Sequence, residues 1–94
     1  MNKEEALAVV RHELASYRGR GYRELLCLLS QCDELEAVGP SGARYRIQVE
    51  AVWDDRPNGD LRVIGLVDDG SLRQYVCPLN DDFIIRSDGS FVGE

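Results

Sequence analysis

Leu7, Val10, Leu14 and Tyr17 recur at three- and four-residue spacing, with Arg11 and Glu13 on other faces, which predicts an amphipathic helix near the start of the chain. Asn2, with Glu5 three residues on, reads as its N-cap and capping box. Gly19 and Gly21 in YRGRGY break the pattern. A shorter stripe of Tyr22, Leu25, Leu26 and Leu29 follows, so a second helix is expected across a tight glycine turn. RGRG has the composition of RNA-binding glycine–arginine segments, but a helix C-cap accounts for its glycines.

From Cys32 onward the apolar period becomes two. DELEAV is a short strand and GPSG at 39–42 a turn. In ARYRIQVEAVW, Tyr45, Ile47, Val49, Ala51 and Trp53 take one face and Arg44, Arg46, Gln48 and Glu50 the other. Trp53 is the expected core anchor. DDRPNGD, DDGS, PLND and SDGS then separate LRVIGLV, LRQYVC, DFIIR and a last short FV, each break carrying turn-forming residues. Short connections favour antiparallel neighbours. The fold expected is α+β, with two N-terminal helices on one face of an antiparallel meander of four to five strands. Residues 1–94 read as one domain, helical over 1–32 and sheet-forming over 33–94.

The composition is that of a globular chain, 44% hydrophobic and 30% charged. The first residues lack a signal-peptide apolar core, and the longest apolar run, LLCLL, is too short to span a bilayer. Three cysteines, Cys27, Cys32 and Cys77, without tight spacing point to reduced thiols in a cytoplasmic setting, with Cys27 as a core thiol. The net charge is −6, and the acids concentrate after residue 32. Such a field repels phosphate backbones and favours a basic protein, so a protein partner or a second copy is expected, with no nucleic acid and no membrane.

The acids cluster as Asp54/Asp55, Asp68/Asp69 and Asp81/Asp82. In a meander the 54–60 loop and the 78–81 turn share one end of the sheet, and Asp68/Asp69 lie at the other. Asp54, Asp55, Asp60, Asp81 and Asp82 are then the candidate rim for a metal or a carboxylate-dependent hydrolase. Asp60 and Asp82 would start strands two places apart, about 10 Å from one another, so the loop would have to fold over the strand ends. A calcium loop fails on spacing: with Gly59 at its sixth position, Arg56 and Gly65 fall where carboxylates are needed. Turn chemistry explains the pairs, because Asp accepts hydrogen bonds from nearby backbone amides. His12, the one histidine, sits at the edge of the first apolar stripe without a catalytic spacing around it. Cys27 and Cys32 lie about 140° apart on a helix and lack the close pairing of a zinc site. No cofactor is expected.

The anomaly is an apolar surplus. LRVIGLV is hydrophobic on both faces, with Leu61, Val63 and Val67 on one and Ile64 and Leu66 on the other, whereas a sheet covered on one side should be polar outside. Val52, Tyr75 and Ile84 add to the second face, and Arg44, Arg46, Arg62 and Arg73 border it, giving an apolar centre with a charged rim. Its cover would be Phe91 and Val92 of the tail, or another molecule. The pattern VWDDRPNGDLRVIGLVDDG…PLNDDFI…DGSFVGE, over residues 52–94, resembles a small bacterial α+β domain family that carries no assigned activity. The resemblance implies a bacterial cytoplasmic setting and assigns no catalytic role. The function expected is a non-enzymatic interaction module binding itself or a basic protein, as immunity and antitoxin proteins do; the alternative is the Asp-rim metal or hydrolase site.

Overall fold

A computed structural model describes residues 2–68 and 79–93. Helix α1 (Lys3–Arg18) begins where expected, with the Asn2 carboxamide oxygen accepting the Glu5 N–H at 3.0 Å. The capping box closes only by half. Instead of returning to Asn2, the Glu5 carboxylate accepts the Ser41 N–H at 2.8 Å, the Ser41 hydroxyl at 2.7 Å and the Tyr45 hydroxyl at 2.5 Å. It thereby ties the start of α1 to the first hairpin of the sheet. Donation from Tyr45, then from Ser41, holds this carboxyl below its ordinary range.

Gly21, at φ +81°, turns the chain into α2 (Gly21–Leu25), a conformation that a side chain would strain. The following residues, Leu26–Leu29, tighten into a 3-10 helix. Its three-residue period carries Leu25 and Leu28 inward and leaves Leu29 at the surface, where a continued α-helix would have buried Leu29. Cys27 is exposed on the same turn, so it is not a core thiol.

The sheet is a four-stranded antiparallel meander of β1 (Asp33–Val38), β2 (Arg44–Trp53), β3 (Leu61–Asp68) and β4 (Leu79–Ile85) in sequence order. With both helices preceding it and α1 packed against β3 and β4, the class is α+β as expected. The loop between β2 and β3 is pinned from the helical side by the Tyr22 hydroxyl, which donates to the Gly59 carbonyl at 2.7 Å. The expected strand over 72–77 lies outside the described residues, and β3 and β4 are direct neighbours, with Ile64 opposite Asp82. After β4, SDGS folds a tight hairpin in which the Asp88 carboxylate accepts the Ser90 N–H at 2.9 Å, and Ile85 bridges to Phe91. The expected last hairpin is present as a single bridge.

The core lies between α1 and the inner face of the sheet. Ala6, Val10, Leu14 and Tyr17 from the helix meet Ile47, Val49, Leu61, Val63, Val67, Phe83 and Ile85, all buried. Each such aliphatic side chain contributes about 1.5–3 kcal/mol on burial. Trp53 is only half-buried at the end of β2, and the buried aromatic anchor on that strand is Tyr45. At the far end of α1, the Tyr17 hydroxyl donates to Asp33 at 2.8 Å, and Arg20 lies 4.2 Å from the centre of its ring. Burial and the bond to Asp33 push that hydroxyl up to about 12. Arg18 stacks 5.0 Å from Phe83 and 5.3 Å from Phe91, whose rings meet edge to face.

The helix approaches the sheet closely at Gly65, which faces α1 from the middle of β3. A Cβ there would stand 2.7 Å from a Val10 methyl and 3.2 Å from Leu14. Gly65→Ala should therefore destabilise the fold by about 1–3 kcal/mol despite the usual preference for Ala over Gly in strands, read as a lower urea midpoint with unchanged slope. Glu5→Gln should lower the melting temperature at pH 7. Because the Glu5 carboxyl is depressed in the fold, its contribution is complete above the unfolded value near 4.5 and disappears as pH falls through the folded value. The melting curves of Glu5→Gln and the parent chain should accordingly converge in acid.

Candidate interaction surface

Strand alternation and register place the second face of the sheet residue by residue. Val52, Arg62 and Ile84 form one row across β2, β3 and β4; Glu50, Ile64 and Asp82 form the next, and Gln48, Leu66 and Asn80 the third. Arg44 and Arg46 lie on the same face further along β2. Seven of the nine residues expected to form an interaction surface therefore share this face: Ile64, Leu66, Val52, Ile84, Arg44, Arg46 and Arg62. Tyr75 and Arg73 lie outside the described residues.

Ile64, Leu66 and Ile84 are half-buried there, and Val52 is 43% exposed. The described helices pack on the opposite face. The tail divides between the two sides: Phe91 joins Phe83 on the helix side, whereas Val92, in register with Ile84, extends the row on the open face. The tail thus lengthens this surface at Val92 instead of placing Phe91 over it.

One end of the face carries an arginine clamp that sequence reading missed. Arg62 donates to Asp54 through Nη2 at 2.7 Å and Nε at 3.1 Å, and to Asp82 through Nη1 at 2.5 Å. These bonds, to Asp54 first and Asp82 second, raise the guanidinium above its ordinary value. Direct adjacency of β3 and β4 makes the clamp possible. Asp81 and Asp82 lie inside β4, not at its start, and point to opposite faces. Asp81 is on the helix side, bound by Arg11 Nε at 3.2 Å.

The five carboxylates of the expected rim are thus parted: Asp54 and Asp82 share Arg62, Asp81 pairs with α1, and Asp55 stands exposed in the loop. The Asp60 carbonyl accepts the Asp54 N–H at 2.9 Å, closing that loop. Asp68 ends β3 at the other end of the sheet, and Asp69 lies outside the described residues. Among the described residues no group of three or more His, Cys, Asp or Glu side chains is placed to hold a metal. His12 is exposed on α1, and Cys27 and Cys32 are free thiols. A sequence signal for the clamp exists in an outward-facing arginine near two acidic segments, but the strand order decides which acids it reaches.

Compared with protein-family models, with curated proteins and with solved structures, the chain matches none. The roles of these residues are therefore argued from their geometry alone. If Arg62 holds the loop and the edge strand to the sheet centre, Arg62→Gln should lower the melting temperature by less than Gly65→Ala does. Because the clamp is partly exposed to solvent, added salt should shrink the loss caused by Arg62→Gln and leave that of Gly65→Ala unchanged.

Proposed function

We propose that the chain is a non-enzymatic, cytoplasmic protein-binding module that takes a basic partner protein on the open face of its sheet. The observation that carries this reading is the row structure of that face, where Ile64, Leu66, Ile84 and Val52 form an apolar centre among charged residues. Apolar centres with charged borders are the anatomy of protein interfaces. The sign of the partner follows from a net charge of −6, and from Glu50 beside the apolar centre. A small acidic protein that neutralises a basic target, of the immunity or antitoxin type, has this chemistry. Free Cys27 and Cys32 suit a reducing compartment. No helix among the described residues is long and apolar enough to cross a membrane.

A second copy of the chain is the rival occupant, favoured by the exposure of Val52 and Val92. Light scattering after size exclusion, at two protein and two salt concentrations, separates the two. The basic-partner reading expects a monomer alone, and affinity capture of a basic protein by the parent chain but not by Ile64→Ser/Leu66→Ser, with capture weakening as salt rises. A salt-insensitive dimer that the same double variant dissociates would overturn it in favour of self-association.

A further inference from the structure

The geometry points to the free edge of β1 as a seat for an extended basic segment of the partner protein, which adds to the sheet as a further strand. The charge of that segment rests on the basic-partner reading; its location rests on β1 itself.

β1 is the terminal strand of the sheet. The Gly39 N–H donates to the Ala43 carbonyl at 2.9 Å, which makes these two a hydrogen-bonded pair. Antiparallel alternation then turns the backbone groups of Asp33, Leu35 and Ala37 toward β2 and those of Glu34, Glu36 and Val38 toward the free edge. No described hydrogen bond reaches these outward groups. The opposite edge differs: on β4 the Val92 N–H already occupies the Ile84 carbonyl at 2.9 Å, and the Asp82 carboxylate is held by Arg62. The tail shortens one edge, and among the described residues nothing pairs with the other.

Glu34 and Glu36 are exposed on the open face and make no ion pair among the described residues, although Arg46 stands directly across from Glu36. They flank an open depression of about 340 Å³ lined by Glu34, Leu35, Glu36 and Arg46. A strand with Lys or Arg at alternate positions would set a cation opposite each carboxylate while its backbone bonds the outward N–H and C=O groups. A second copy fits poorly in the two registers that would pair most of the strand. Twofold antiparallel pairing centred on Leu35 sets Glu34 against Glu36 twice, and pairing centred on Glu36 sets that residue against itself. The carboxylates that guard the edge against its own kind select for a basic strand.

The test uses the full chain and two synthetic peptides, one alternating Lys with Thr and one alternating Glu with Thr, read by amide shifts and hydrogen exchange. The Lys peptide should slow exchange at Glu34, Glu36 and Val38 by about tenfold or more, and the Glu peptide should not. Glu34→Gln/Glu36→Gln should weaken the Lys peptide about tenfold. Val38→Pro removes an outward N–H without touching the bonds to β2, and should abolish the added protection while Leu35 and Ala37 stay protected. Equal protection by both peptides, or by neither, overturns the edge site. Shifts centred on Ile64 and Leu66 with β1 unchanged also overturn it, and leave the open-face reading standing.

Discussion

The architecture depends on how closely α1 can approach β3. Helices rest on sheets through side chains, and at the crossing point one layer of side chain is missing because Gly65 has none. Val10 and Leu14 drop into that gap, which lets the buried stripe of α1 reach β2, β3 and β4 together. Close packing makes this a narrow requirement, since interiors leave little room for even one added methyl. The two ends of the helix are then fixed by polar contacts of different kinds. Glu5 gathers Ser41 and Tyr45 at one end, and Tyr17 reaches Asp33 at the other.

With the described helices committed to one face, no described element covers the other, and its side chains pack among themselves. Its apolar residues sit where β3 and β4 meet, and the charge most able to disrupt them is neutralised in place. Arg62 is surrounded by the two carboxylates that would otherwise repel one another across the strand ends. The acids of this protein therefore fall into two populations. Asp54, Asp81, Asp82, Asp88 and Glu5 are engaged by the chain itself, whereas Glu34 and Glu36 are presented to the outside.

The division into helices and strands is legible in the sequence because the apolar period changes near Cys32, and the alternation from Tyr45 to Trp53 reads directly as one inner and one outer face. Alternation alone puts Ile64 and Leu66 on one face of their strand, but that Val52 and Ile84 share that face depends on the register between strands. The Arg62 clamp is not legible, because it depends on β3 lying beside β4, a pairing between segments whose connection contains another strand-like stretch. The same pairing moves Asp81 and Asp82 from a turn into a strand and sends them to opposite faces. The departure of Glu5 from its capping box is hidden for a different reason: the local pattern is the same whether its carboxylate returns to Asn2 or reaches across to Ser41. Leu28 replaces Leu29 in the core because the chain tightens by less than one residue per turn, a change smaller than periodicity can resolve.

The order of the elements also bears on how the protein is made. All three strand ladders join consecutive strands, so the sheet assembles from hairpins of short sequence separation. The seat of α1 does not. Val10 waits for Gly65, and Arg11 for Asp81, so a chain emerging from the ribosome exposes the apolar stripe of its first helix until β3 and β4 have been synthesised. At ordinary elongation rates of about 5–20 residues per second that interval is on the order of seconds. The seating of α1 waits on strands made after it.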